Sequence, residues 1–192
     1  MVAEMGYRPG KKTGIVGIGI AALMAGGIQY AKPLIQRWEG ISHEAYPDLR
    51  GVWTACYGET QGIHPGDVFT QKQCDVKLQN ELHTRSRQIL GLIPDKSVLS
   101  QHRLAALISF QYNNGQGTLA STRSPEACEA MNRGRRIKHC HPDALIIYDL
   151  NRGDIEKSCN DFLAYDLASG REIKGLKNRR IQESQICKIN NP

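Results

Sequence analysis

The spacing of hydrophobic residues along the chain predicts three kinds of segment. Residues 13–31, TGIVGIGIAALMAGGIQYA, carry no charge over nineteen positions. Residues 45–60 alternate apolar and polar positions between turn-forming residues, which is typical of a small antiparallel sheet. From Thr70 onward the apolar positions recur at helical spacing. One small sheet followed by a mainly helical remainder predicts an α+β fold, with a cleft between the two parts as the natural place for a site.

Capping and turn residues predict where the helices begin and end. A short helix opening at Pro33 is expected to end near Gly40, which places Glu39 at its C-terminus. Thr70 is the expected N-cap of the next helix. The dense apolar run at 104–110 predicts a buried helix that ends in the YNNGQG stretch, because Asn and Gly favour helix ends. Further helices are predicted over residues 155–165 and 177–188.

The uncharged segment 13–31 is predicted to form a weakly hydrophobic transmembrane helix. A spanning helix needs about 20 mainly apolar residues, but five of these nineteen are Gly, which weakens insertion. Basic residues before the segment favour a cytoplasmic N-terminus and an exported remainder. A cleaved signal peptide is the alternative, although no clear A-x-A site follows. We expect residues 1–31 to form a cytoplasmic tip and a signal-anchor helix, and residues 32–192 to form one globular domain.

Length and charge narrow the function classes. A chain of 192 residues can bury a core of its own, and we expect it to be a monomer. Its net charge of +6 and pI of about 9.1 favour an anionic partner such as nucleic acid, phospholipid or an acidic cell-wall polymer. Aromatic residues make up only 6% and no nucleic-acid motif is visible. We therefore expect no nucleic-acid partner, with a membrane-tethered nucleic-acid-binding module kept as an alternative.

Six cysteines favour disulfides over a metal or redox motif. None of them forms the C-x-x-C spacing of a zinc ribbon or a redox pair, and export would place them in an oxidising compartment. Buried free thiols in a cytosolic protein are the alternative. Six thiols permit fifteen pairings, so nearest-neighbour pairing is a guess. That guess joins Cys56 with Cys74, Cys128 with Cys140, and Cys159 with Cys187.

Residues 123–143 differ from their surroundings, since they are polar and basic and contain two of the cysteines. We interpret them as an insertion that forms a disulfide-stapled surface loop. A zinc site is the alternative, but the spacing from Cys128 to Cys140 includes no paired partner Cys nearby. We therefore expect no metal and no cofactor. The zinc alternative would recruit Cys128, His139, Cys140 and His141.

A carboxylic acid, a carboxylate and a hydroxyl stand at a particular spacing near the start of the predicted domain. Eight residues separate Glu39 from Asp48, and five separate Asp48 from Thr54. This pattern resembles the motif of the phage-type lysozymes, glycoside hydrolase family 24. Three later stretches also resemble that family, in the same order. They are ALISFQYNNGQG at 106–117, DIEKSCNDF at 154–162 and GLKNRRIQESQIC at 175–187.

The resemblance covers about residues 34–187 and implies a lysozyme-like fold and a muramidase that hydrolyses bacterial peptidoglycan for host lysis. The N-terminal segment is similar to that of a signal-anchor-release subset of these enzymes. In that subset the enzyme waits tethered to the inner membrane and becomes active once it is released into the periplasm. Two residues depart from the family pattern, Glu59 where His is usual and Tyr165 where Trp is common.

Glycosidic bond cleavage needs one acid for the leaving oxygen and one group that manages water or positive charge. Glu39 is the expected acid, since apolar surroundings beside Trp38 and the negative end of a helix favour a protonated carboxyl. Asp48, in a polar turn, is expected to stay ionised and to orient water or act as base, with Thr54 holding that water. Inverting hydrolysis is the prediction, and the alternative is a lytic transglycosylase.

Two further pairs of residues have open roles. Gln111 and Asn113 either line the saccharide cleft or serve only to end their helix. Arg179 and Arg180 either face anionic cell-wall polymer or pair with Glu183 on their own helix. Pairing is preferred, because ion pairs three or four residues apart are common on helices.

Overall fold

The computed structural model describes residues 19–115, 119, 145–168 and 171–190. The described part has the predicted α+β composition, with short strands and a larger set of helices. The helices are α1 (Ile20–Glu39), α2 (Gln71–Leu92), α3 (Gln101–Asn114), α4 (Ile146–Asn151), α5 (Ile155–Asp161) and α6 (Lys174–Cys187). Short 3-10 turns occupy Lys96–Val98 and Phe162–Ala164. The strands are β1 (Ser42–Pro47), β2 (Trp53–Cys56), β3 (Leu167–Ala168) and β4 (Arg171–Glu172).

The predicted antiparallel sheet is formed by β1 and β2. Thr54 lies opposite Tyr46, and the register shifts between Ser42 and Tyr46. A second small hairpin, β3 with β4, was not predicted, because two-residue strands leave no alternation to read in the sequence. The first sheet carries one side of the candidate site, since Asp48 follows β1 and Thr54 lies on β2.

Helix α1 is longer than predicted. The sequence pattern predicts a start at Pro33, but the helix begins at Ile20 and continues through Pro33 to Glu39. The segment before Pro33 is buried against α3. This packing stabilises a helical conformation that the local sequence alone does not predict. The buried residues of α1 are Leu23, Gly26, Gly27, Ile28, Ala31, Leu34 and Ile35.

The predicted membrane segment 13–31 therefore overlaps this helix. Residues 13–18 lie outside the described residues, and residues 20–31 belong to α1. Within the described ranges, no helix has the length and apolar character needed to cross a membrane. A close approach of two helices explains part of the glycine content, because a Cβ on Gly27 would lie 2.7 Å from Leu104 Cδ2 on α3.

Helix α3 forms the centre of the helical lobe. Every residue from Arg103 to Gln111 is buried, as the apolar run predicted. The helix ends at Asn114, with Gly115 at a φ of 83° donating its N–H to the Gln111 carbonyl, in agreement with the predicted YNNGQG stop. Around α3 pack α1, α2 and α6. Thr70 caps α2 as predicted, in a reciprocal capping box with Gln73.

Two disulfides connect the elements. Cys56, at the end of β2, is bonded to Cys74 on α2, and Cys159 on α5 is bonded to Cys187 on α6. These are two of the pairs that nearest-neighbour pairing gives. Cys128, Cys140 and the predicted insertion 123–143 lie outside the described residues. The first disulfide joins the sheet that carries Thr54 to the helical lobe.

Candidate active site

Glu39 is the last residue of α1, as predicted. Gly40 follows at a φ of 68°, a conformation that favours glycine, and its N–H returns to the Gln36 carbonyl at 3.2 Å. The Glu39 side chain is 23% exposed, and its Oε1 lies 2.6 Å from Arg179 Nη1 on α6. Trp38 Nε1 donates to Gln182 Oε1 on the same helix at 3.0 Å. The carboxyl therefore has a charged partner that the expected apolar setting did not include.

Asp48 occupies the turn that directly follows β1. Its Oδ1 accepts hydrogen bonds from the backbone N–H groups of Arg50 and Val52, both at 2.8 Å. The bond from Val52, that from Arg50 and the nearby Arg50 guanidinium together lower the pKa of Asp48. A lowered pKa favours the ionised form of Asp48, and its role in the site stays a prediction.

Thr54 lies on β2 and is 5% exposed. Its Oγ1 donates to the Val52 carbonyl at 3.0 Å. A hydroxyl has one hydrogen and two acceptor positions, so Thr54 Oγ1 is left able to accept a hydrogen bond. Because Asp48 binds the N–H of Val52 and Thr54 binds its carbonyl, the two side chains are anchored to the same residue.

The paired arginines of α6 contact Glu183, which confirms the preferred prediction. Arg179 Nε donates to Glu183 Oε1 at 3.2 Å, and Arg180 Nη2 donates to the same oxygen at 2.9 Å. The contact of Arg179 with Glu39 was missed. No sequence signal reports it, since the two residues are 140 positions apart.

A cavity of about 410 Å³ opens between the segment after β2 and one face of α2. Glu59, at the position where the family usually has His, lines it and accepts a hydrogen bond from Tyr57 N–H at 2.9 Å. Burial raises the pKa of Glu59. The other lining residues are Gly58, Thr60, Gln61, Lys77, Asn80, Glu81, Thr84, Arg85 and Tyr112.

Tyr112 contacts the cavity-lining Glu59. Its hydroxyl donates to the Tyr57 carbonyl at 2.8 Å and lies 3.3 Å from Glu59 Oε1. Burial raises the pKa of Tyr112, and the charges of Glu59 and Glu39 raise it further. Arg85 stacks 4.9 Å from the centre of the Tyr112 ring.

The cavity-lining face of α2 was not predicted as part of the site. Asn80 and Glu81 each lie three or four residues from both Lys77 and Thr84, and this polar stripe on one helix face is the signal that could have indicated it. A polar face on a surface helix is ordinary, so the stripe alone did not distinguish a cleft from solvent.

Gln111 and Asn113, predicted either to line the saccharide cleft or to end their helix, differ in exposure. Gln111 is fully buried, and its Nε2 donates to Gln88 Oε1 at 3.2 Å. The backbone carbonyl of Gln111 accepts a hydrogen bond from Arg85 Nη1 at 2.7 Å. Asn113 is exposed on the last turn of α3, one residue beyond the cavity-lining Tyr112. The structure therefore brings Asn113, but not Gln111, to the surface beside the cavity.

Comparison with known proteins identifies the family. The family model described as Phage lysozyme matches residues 36–145, which include the Glu39, Asp48 and Thr54 motif. The chain belongs to the phage lysozyme family. Relatives similar over most of the chain include the SAR-endolysin of Bacteriophage PS119, 30% identical with 88% of this chain and 90% of the relative covered. The SAR-endolysin of Pseudomonas phage phiKMV is 31% identical, with 89% of each covered.

A solved structure of the family has the same fold. The active form of the P1 phage endolysin Lyz aligns with a TM-score of 0.68 at 24% identity, covering 93% of this chain and all of that one. At this identity the likeness concerns the fold alone. It confirms the lysozyme-like arrangement of a small sheet and a helical lobe that the sequence predicted.

Proposed function

We propose that this phage lysozyme is an endolysin that hydrolyses the β-1,4 bond between N-acetylmuramic acid and N-acetylglucosamine, with Glu39 as its acid. Membership of the phage lysozyme family makes the chain a glycoside hydrolase that degrades peptidoglycan for host lysis. The roles of individual residues are our proposal. The observation that supports them best is the shared anchoring of Asp48 and Thr54 to Val52.

This anchoring suits the handling of a water molecule. Thr54 gives its hydrogen to the Val52 carbonyl, so a water beside it can only donate to Oγ1. The same water can donate its second hydrogen to the Asp48 carboxylate, which the Val52 and Arg50 amides help keep ionised. Its lone pair is then free to attack the anomeric carbon while Asp48 takes the proton.

Glu39 would supply the complementary proton to the leaving oxygen. Attack by a held water on the face opposite the leaving group inverts the anomeric configuration. The alternative, a lytic transglycosylase, closes an anhydro ring within the substrate and has no use for a nucleophilic water. The Asp48 and Thr54 arrangement therefore favours inverting hydrolysis.

Digestion of purified peptidoglycan by the full chain tests this proposal. Wild type is compared with Glu39→Gln, and Glu44→Gln is the matched control because Glu44 is an exposed carboxylate on β1, the strand that directly follows α1. We expect new reducing ends from wild type and the control and none from Glu39→Gln. Proton NMR of the first products should show inverted configuration.

Three other outcomes would change the proposal. Anhydro-sugar ends would assign the chain to the transglycosylases. Products with retained configuration would show that water does not attack the anomeric carbon in a single inverting step. Undiminished activity of Glu39→Gln would mean that another group is the acid.

We also propose that residues 1–31 tether the enzyme to the inner membrane, N-terminus in the cytoplasm, before residues 32–192 act in the periplasm. Two observations support this. Relatives about 30% identical over most of the chain are SAR-endolysins, and residues 20–31 are weakly hydrophobic yet here lie in α1, with Leu23 and Ile28 buried in the helical lobe. The same segment would then occupy the bilayer before release and the lobe afterwards.

Cell fractionation with intact-mass measurement tests the tether. The expected result is a membrane fraction and a soluble periplasmic fraction with the same full-length mass. A periplasmic species that lacks its first residues would instead show a cleaved signal peptide.

A further inference from the structure

Beneath Glu39 lies a buried cluster of charged side chains on α6. Arg179, Arg180 and Glu183 are 3%, 0% and 0% exposed. Other charged residues of this helix, such as Lys174 and Lys177, are exposed. Burying ions is costly unless their partners are well placed, and apolar residues of similar size often give a protein that is as stable or more so. Stability alone therefore gives little reason for a charged cluster here.

The contacts within the cluster fix the orientation of Arg179. Its Nε donates to Glu183 Oε1 at 3.2 Å, and its Nη2 donates to the Ser109 carbonyl on α3 at 3.1 Å. A guanidinium is planar and rigid. With two of its nitrogens held, the third, Nη1, is directed at Glu39 Oε1, 2.6 Å away.

Glu183 is in turn held by residues other than Arg179. Its Oε1 also accepts hydrogen bonds from Ser109 Oγ at 2.6 Å and from Arg180 Nη2 at 2.9 Å. Arg180 lies over the Phe110 ring, 4.8 Å from its centre. The Glu183 carboxylate is thus fixed by two helices and forms the inner end of a chain that runs through Arg179 to Glu39.

We propose that Glu183 is a positioning residue for the hydrolysis. It orients Arg179, and Arg179 holds the Glu39 carboxyl in the direction of the glycosidic oxygen. The inference rests on the proposed role of Glu39 as the acid. Because Glu183 is fully buried, it touches no substrate, and its loss changes the geometry of the reacting carboxyl without changing saccharide contacts. A small misplacement of a reacting group can lower the rate by about 100-fold.

The kinetics of Glu183→Gln test the proposal, since this change keeps the shape of the side chain and removes its charge. We expect kcat to fall about 10-fold or more while KM stays within about 2-fold. Asp161→Asn is the matched control. Asp161 is also a buried carboxylate with a basic partner, Lys157, and both of these residues lie on α5 rather than on α6. We expect its kcat to be unchanged. An unchanged kcat in Glu183→Gln, or an equal loss in both variants, would overturn the proposal.

A double-mutant cycle tests whether Glu183 acts through Arg179. If it does, adding Glu183→Gln to Arg179→Lys should lower kcat no further than the more damaging single change. Additive losses would show that the two residues act independently and would overturn the inference. If Glu183→Gln does not fold, Ser109→Ala replaces it in the cycle, because it removes one hydrogen bond to the same carboxylate oxygen and leaves the charge.

Glu39→Gln separates failure of this inference from failure of the proposed function. If Glu39→Gln keeps full activity, Glu39 is not the acid and both proposals fall. If Glu39→Gln is inactive and Glu183→Gln is as active as wild type, only the positioning role is lost.

Discussion

Arg179 on α6 and Glu39 at the end of α1 form an ion pair with 2.6 Å between Nη1 and Oε1. The pair connects the C-terminal end of α1, which carries the candidate acid, with α6. It also connects Glu39 to the buried cluster of Arg179, Arg180 and Glu183 on α6.

Removing the guanidinium should destabilise the protein strongly. Arg179→Ala leaves the buried Glu183 carboxylate with one of its two basic partners, and breaking a buried ion pair costs about 3–5 kcal/mol. Urea unfolding followed by circular dichroism measures this loss. Lys177→Ala is the control, since Lys177 is exposed on the same helix and its ion pair with Glu172 is screened by solvent. Equal midpoints for the two variants would contradict the prediction.

The hydroxyl of Thr54 should matter for activity through its acceptor oxygen. Thr54→Ser keeps the oxygen, whereas Thr54→Val has nearly the same shape and removes it. Loss of a group that holds the attacking water should lower kcat about 100-fold or more in the Val variant, and the Ser variant should stay within about 10-fold of wild type. A Val variant as active as the Ser variant would mean that Thr54 holds no catalytic water. Peptidoglycan hydrolysis rates on folded protein decide between these outcomes.

Two helical glycines should respond oppositely to alanine. Gly27→Ala would place a methyl group 2.7 Å from Leu104 Cδ2, so the Leu104 side chain or the two helices must shift, at a cost of about 1–3 kcal/mol. A methyl group on Gly91 of α2 would meet no other atom within 4 Å, and Gly91→Ala should be neutral or stabilise by about 1 kcal/mol. Differential scanning calorimetry compares the two variants. A Gly27→Ala variant more stable than wild type would contradict this prediction, because it would show that a methyl group fits between α1 and α3.

The disulfide between Cys56 and Cys74 should stabilise the sheet against the helical lobe. The bond spans 18 residues, and it holds Cys56 at a φ of 58°, where non-glycine residues are uncommon. Removing a disulfide that closes a loop of this size lowers the free energy of unfolding by about 3 kcal/mol. The double change Cys56→Ser and Cys74→Ser should therefore lower the urea midpoint. If wild type and the double variant unfold at the same midpoint under oxidising conditions, the bond contributes nothing.

Asp161 should make stability depend on pH in an unusual direction. Burial, and then the adjacent Asp149, raise the pKa of Asp161 to about 7, although Lys157 contacts both carboxylates. In the unfolded chain an Asp titrates near 4, so the native state binds more protons between these values. The contribution of Asp161 to stability therefore falls as pH rises from about 4 to about 7. Asp161→Asn should remove that decline, and unfolding free energies measured at pH 4.5 and 7.5 test it.

Several features could be predicted because they depend on neighbouring residues. The cap at Thr70, the end of α3 at Asn114 and the turn that carries Asp48 follow from local backbone chemistry. The pairing of Arg179 and Arg180 with Glu183 follows from helical spacing. The start of α1 could not be predicted in this way, because the burial of residues before Pro33 depends on α3, about eighty positions away.

The family, the α+β class and the spacing of Glu39, Asp48 and Thr54 could be read from the amino-acid sequence, since they depend on residue spacing and on local turn and helix signals. The surroundings of these three residues depend on the folded chain. Arg179 beside Glu39, and the burial of Gln111, depend on how distant helices pack, and no periodicity or local propensity encodes such contacts. Side-chain partners far apart in the chain are fixed by shape and burial, which exist only once the core has formed.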